Sequence, residues 1–154
     1  MLRWALSPHA FLHEYYHHAQ FIHAQFDGAD FQPIYGETGP AIYRTVAALL
    51  GAHEEIVFGT NAVLATLTVP ATAWAALELT RHRGTALMAA WTLALLPAHL
   101  RYSGAEDPAI AAAFFGILSL ALVLHAADTR RVAALVGATA SLALAAHARP
   151  EMLA

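Results

Sequence analysis

Four apolar runs follow one another between residues 56 and 148, each bounded by charged or turn-forming residues. Ile56 to Leu79 spans 24 residues with one charge, Glu78, at its end; Gly84 to Leu100 spans 17; Pro108 to Ala127 spans 20 without a formal charge; Val132 to Ala148 spans 17. A hydrocarbon core about 30 Å thick takes about 20 apolar residues as helix. The first and third runs are therefore full spans, and the other two are short ones. Pro70 predicts a kink in the first, which a membrane helix tolerates when neighbours satisfy the freed carbonyl. Ahead of the runs, Asp27 to Gly39 is rich in Gly, Asp and Pro and reads as a loop. Pro40 to Leu50 reads as a short helix started by Pro40 and stopped by Gly51.

Residues Pro8 to Phe26 carry a different pattern. On a helix, Phe11, Tyr15, Ala19, Ile22 and Phe26 form an apolar stripe, while His9, His13, His17 and Gln20 line a neighbouring face with Glu14, His18 and Gln25 beside them. Ser7 and Pro8 suit a helix start, and Gly28 suits a stop. Such a helix lies at the membrane interface with its ionisable side toward water.

Composition agrees with the membrane reading. The 154 residues are 58% hydrophobic and 12% charged, with a mean hydropathy of +0.50; soluble domains carry about twice that charged fraction. There is no lysine or cysteine, which excludes a disulfide framework. A net charge of -3 without a basic patch argues against nucleic acid as a partner. The first twelve residues are too short for a signal-peptide core with its cleavage site.

The arginines orient the spans. Arg81 and Arg83 occupy one short loop, and Arg130 and Arg131 occupy the next loop on the same side, which the positive-inside rule makes cytoplasmic. Nine of the eleven acids, Glu14, Asp27, Asp30, Glu37, Glu54, Glu55, Glu106, Asp107 and Glu151, then fall on the outer side. Acids contribute little to orientation, so their asymmetry points to chemistry on that face. The chain ends just past an apolar run without a polar tail and reads as the N-terminal piece of a larger polytopic protein.

Three stretches carry candidate chemistry. His13-Glu14-Tyr15-Tyr16-His17 fits H-E-x-x-H, which on a helix sets two imidazoles on one face for zinc with a glutamate as general base. Ten histidines in the chain, five of them between His9 and His23, make that pattern easy to meet by chance. A third ligand would have to come from Glu37, Glu54 or Glu55, none of them in a recognisable ligand motif. In Arg101 to Pro108, Glu106 and Asp107 read as the negative cap of the following helix, and Arg101 as a guanidinium able to grip a phosphate. Tyr35-Gly36-Glu37-Thr38-Gly39-Pro40 is a glycine-flanked turn presenting one acid. His99, His125 and His147, near span ends, read as interfacial.

In order and spacing these pieces resemble the integral-membrane glycosyltransferases of the GT-C class, which include protein O-mannosyltransferases and lipid A aminoarabinose transferases. The likeness runs from His13-Glu14-Tyr15-Tyr16-His17-His18-Ala19, similar to the family's acidic pair and tyrosine-containing helix, through Gly39-Pro40-Ala41-Ile42-Tyr43 to Gly51. It continues in Glu54-Glu55-Ile56-Val57, in Leu96 to Ser103 with Glu106-Asp107, and in Arg149-Pro150-Glu151. The match spans essentially the whole chain and about the first third of a family member. The family's pair is usually Asp-Glu, whereas His13 stands first here. Phe58-Gly59 stands where an arginine is usual.

The resemblance implies transfer of a sugar from a polyprenyl-phosphate donor to a lipid, glycan or protein acceptor on the outer face. Glu14 would be the general base that activates the acceptor hydroxyl. His13 is its alternative, because imidazole titrates near neutrality. Arg101, Glu106 and Asp107 would face the donor's phosphate and sugar, with Glu37 and Tyr15 in the substrate region. No metal ligand is assigned, and the resemblance leaves room for a divalent metal. The expectation is an all-α polytopic membrane fragment with residues 1–51 as outer-loop region, an amphipathic helix included, and 52–154 as about four transmembrane helices. It would lie in a bacterial inner membrane, in contact with its lipids. The competing readings are a membrane zinc metalloprotease on His13, Glu14 and His17, and a non-catalytic, transporter-like segment.

Overall fold

The computed structural model describes residues 36–53, 55–105, 107 and 109–149. Glu14, His13, Tyr15 and the H-E-x-x-H pattern, with Glu54, Glu106 and 150–154, lie outside the described residues. What is described is all-helical: α1 (Thr38–Leu50), α2 (Glu55–Thr80), α3 (Arg83–Leu95), α4 (Pro97–Ser103), α5 (Ala109–Thr129) and α6 (Val132–Ala148). Two of these, α2 and α5, are long and apolar enough to cross a membrane, and α6 is a shorter apolar helix.

Helix α2 is the central post, with α1, α3, α4 and α5 packed on it and α6 packed on α5. Its buried positions Val57, Asn61, Leu64, Thr68, Ala71 and Ala75 advance by alternating steps of four and three, one stripe down one face. On α6 the same rhythm buries Ala134, Ala138, Ser141, Ala145 and Ala148. These stripes are made largely of small residues. Large ones point outward: Leu87, Met88, Trp91 and Leu95 on α3 are 60–69% exposed, and Val132, Leu135, Val136 and Leu142 on α6 are 50–72% exposed. Small residues inward and large apolar residues outward is how helices pack where the surroundings are as apolar as leucine.

Hydroxyls buried in such a bundle need local acceptors. Along α2, the buried Thr68 and part-buried Thr72 donate to the carbonyls of Leu64 and Thr68, one turn back, as the exposed Thr66 does to that of Ala62. Between α5 and α6, Ser119 Oγ donates across to the Ala138 carbonyl at 2.9 Å.

The second apolar run is not one helix. Gly84 to Leu100 breaks at Leu96-Pro97 into α3 and the seven-residue α4. Proline lacks an N–H and pushes its predecessor out of the helical region; Leu96 sits at φ −63, ψ 120, and Pro97 opens the next helix at its first position. With α3 only 13 residues long, four full spans are not present among the described residues. Helix α1 begins at Thr38 rather than Pro40, so Pro40 lies in the first turn, where its missing N–H has no intrahelical partner to lose. It stops at Gly51 as expected, in a positive-φ conformation (95°) with the Gly51 N–H on the Ala47 carbonyl.

The break gives α4 a bracing role. His99 is buried, and its Nε2 lies 3.2 Å from the Ala65 carbonyl of α2, an acceptor that requires the proton on Nε2. The next carbonyl, that of Thr66, is the one Pro70 leaves without its helical donor. Replacing His99 with leucine is expected to lower stability by about 1 kcal/mol, the net contribution of one buried hydrogen bond, read as a lower apparent Tm of the detergent-solubilised protein.

Candidate functional site

Two polar clusters close the bundle, one at each end. The first contains the turns after α2 and α5. Arg81 and Arg130, at φ 56° and 53°, end the two helices in matching left-handed positions, each N–H returning to the carbonyl four residues back. Arg81 reaches Asp128 at 2.8 Å and Glu78 at 3.0 Å. The Glu78 Oε1 also meets His125 Nδ1 at 2.9 Å and accepts from Trp74 Nε1 at 3.1 Å. The two arginine-bearing turns therefore lie side by side, as their assignment to one side requires.

The opposite end is built around Asn61. It lies one turn and a half into α2 and is fully buried, so its amide must find partners for both donors and its acceptor. Tyr43, also fully buried, donates its hydroxyl to Asn61 Oδ1 at 2.8 Å. Asn61 Nδ2 donates to the carbonyls of Ala105 at 2.7 Å and Asp107 at 3.1 Å. One amide thereby joins α1, α2 and the loop between α4 and α5. Its neighbour Thr60 has a buried Oγ1 with no hydrogen-bond partner among the described residues.

Asp107 continues the chain of contacts. Its Oδ1 accepts the Ala109 N–H at 2.7 Å, the capping role its position before α5 predicts. Arg149 Nη2 lies 3.1 and 3.2 Å from its two oxygens. The aspartate side chain is 5% exposed and the arginine 23%, so this is a largely desolvated, charge-compensated pair. From α6 the circuit returns to α1. The Thr38 hydroxyl donates to the Leu144 carbonyl at 2.9 Å, and the Gly36 N–H to that of Ala148 at 3.2 Å. Gly36 is required there, because a Cβ would collide with the His147 carbonyl oxygen.

Of the residues singled out from sequence, Asp107 is at the centre of this cluster. The arginine set against it is Arg149 rather than Arg101, which is exposed in the last turn of α4 with no ion pair among the described residues. Glu37 stands at the start of α1 in an exposed 3.0 Å ion pair with Arg44; through its neighbours Gly36 and Thr38 it belongs to the same end of the bundle. Among the described residues no group of three or more His, Cys, Asp or Glu side chains gathers into a metal site. Asn61, Tyr43 and Arg149 were not candidates from sequence. Asn61 had a usable signal, as the one amide side chain inside the run from Ile56 to Leu79, where an amide without partners is costly.

No family model, curated protein or solved structure matches this chain.

Because the Asp107–Arg149 pair is mostly out of water, its two members are expected to be strongly coupled. Asp107→Ala and Arg149→Ala should each destabilise the protein, each leaving a buried charge unpaired, and the double variant by less than the sum. A double-mutant cycle from denaturation midpoints should return a coupling of about 2 kcal/mol.

Proposed function

We propose that the chain is the N-terminal part of a GT-C-like membrane glycosyltransferase that moves a sugar from a polyprenyl-phosphate donor to an acceptor outside the membrane. The observation that supports it is the opposition of the two ends: arginine-bearing turns gathered at one, and at the other a buried aspartate–arginine pair with Arg101 and Glu37 nearby in the chain's layout. By the positive-inside rule the first end is cytoplasmic, so the Asp107 end faces outward. The membrane setting is supported by small residues inward and large apolar residues outward. In the proposed arrangement α2, α5, α6 and the broken α3–α4 segment all lie within a bacterial inner membrane.

The roles follow the resemblance. Glu14, or His13 in its place, takes the proton of the acceptor hydroxyl as its oxygen attacks the sugar's anomeric carbon; the polyprenyl phosphate departs with the bonding electrons of its glycosidic oxygen. Phosphate oxygens are acceptors, and guanidinium groups are pure donors, so Arg101 suits the donor phosphate. Asp107, Glu106, Glu37 and Tyr15 would line the space for the sugar.

The test is transfer of labelled sugar from polyprenyl-phosphate donors by the full-length protein. Glu14→Gln should lower kcat by about 10²-fold or more, as expected for loss of a general base, with insertion and metal content unchanged. Stoichiometric zinc that is lost on His13→Ala or His17→Ala, and kept on Glu14→Gln, would instead favour the metalloprotease reading. Full activity in the variant would remove Glu14 from the mechanism. Orientation is checked independently: cysteines placed at His82 and Arg130 should resist a membrane-impermeant reagent applied from outside.

A further inference from the structure

The Tyr43–Asn61 pair does more than satisfy two buried groups. An asparagine side chain could have bonded within its own helix, yet both acceptors of its Nδ2 are backbone carbonyls of the 104–108 loop, 44 and 46 residues away. Those carbonyls bracket the position of Glu106 in the chain and belong to the segment that carries Asp107. The Asn61 oxygen is taken by Tyr43, on a helix anchored to α6 by Gly36 and Thr38. The loop's backbone thus hangs from α2 at a point whose geometry α1 controls.

We infer that Tyr43 and Asn61 are positioning residues: the Asn61 amide sets where the chain between α4 and α5 presents Asp107, and Tyr43 ties that setting to the docking of α1. Any displacement of α1 pulls on the tyrosine hydroxyl and rotates the amide away from the Ala105 and Asp107 carbonyls. Asp107 would keep its bond to Arg149 on α6, so the loop would pivot about that pair. The kinetic half of this inference rests on the glycosyl-transfer reading; the mechanical half does not.

These 154 residues contain no cysteine, so with any cysteines elsewhere in the full-length protein replaced by serine both halves are testable. Ser103→Cys, a near-isosteric change at a position 2% exposed next to the loop, reports loop release through its rate of maleimide labelling in the solubilised full-length protein. Ser119→Cys, 5% exposed between α5 and α6, reports loosening of the bundle. Asn61→Asp keeps an acceptor for Tyr43 but turns the donor toward the carbonyls into a second acceptor. It should raise labelling at position 103 about thirtyfold, the equivalent of the two hydrogen bonds that the Asn61 Nδ2 donates, and leave position 119 unchanged. Tyr43→Phe should raise it by a smaller factor. Unchanged labelling at 103, or an equal rise at both reporters, overturns the positioning role.

In the transfer assay, Asn61→Asp should raise the KM for the polyprenyl-phosphate donor and leave the acceptor KM as it was. A purely structural defect would lower the active fraction, and so kcat, with both KM values unchanged, and that pattern would refute the inference. Should the parent protein transfer no sugar, the glycosyltransferase reading fails alone, and the two labelling rates still decide whether Tyr43 and Asn61 hold the loop.

Discussion

A primary amide enclosed by apolar helices cannot be left unpaired, because nothing around it replaces the water it gave up. Asn61 is such a group, and satisfying it dictates much of the geometry at its end of the bundle. Its oxygen requires a donor, which brings Tyr43 and with it the whole of α1 against α2. Its nitrogen requires acceptors, so the chain leaving α4 must turn so that the carbonyls of Ala105 and Asp107 both face α2. Once that turn is made, Asp107 is in place to cap α5 and to meet Arg149. The small buried cluster of Tyr43, Val57 and Phe58 sits beside this amide on the same two helices.

The rest of the bundle is held by a different economy. Alanine and serine stripes allow α2, α5 and α6 to approach closely, so van der Waals contact is gained along their length. Apolar burial as such contributes little when the outer surface remains leucine, valine and tryptophan. Directional contacts then fix register: Ser119 on the Ala138 carbonyl midway, the Glu78–His125 pair at one end, and the Asn61 cluster at the other. Each joins helices at a defined height, which smooth small-residue stripes alone would leave free to slide.

Helix positions were legible because long uncharged runs between arginines, prolines and glycines leave few alternatives; α2, α5 and α6 fall within one or two residues of the runs that announce them. The break at Leu96 was less so. Pro70 and Pro97 look alike in sequence, yet α2 continues through the first and the chain ends a helix before the second. The difference lies in packing, since α4 turns to lay His99 and Ser103 on the core, a gain that no local pattern records. The site was legible only in part. Asp107 declared itself by standing before a helix and next to another acid. Arg149 lies 42 residues further on and stood out only within the Arg149-Pro150-Glu151 stretch of the resemblance, because pairing across α5 and α6 is a property of the bundle. The buried stripes were hidden for a related reason: they are made of small and hydroxyl-bearing residues, with the large apolar ones outward, the reverse of the inward-apolar pattern by which a hydropathy reading assigns a core face.

The two polar clusters also differ in what they connect. Glu78, His125, Arg81, Asp128 and Trp74 join α2 to α5 near the turns where these helices end; they hold two neighbours together. The Asn61 cluster collects α1, α2, the loop before α5 and the end of α6 into a closed circuit of hydrogen bonds. A circuit of that kind cannot relax at one point without changing the lengths of the others. An acid placed in it is held to a narrower range of positions than the same acid on an open loop, and narrow placement is what a group acting on a bound substrate needs. Among the described residues, Glu37 and Asp107 share the end of the bundle that this circuit closes.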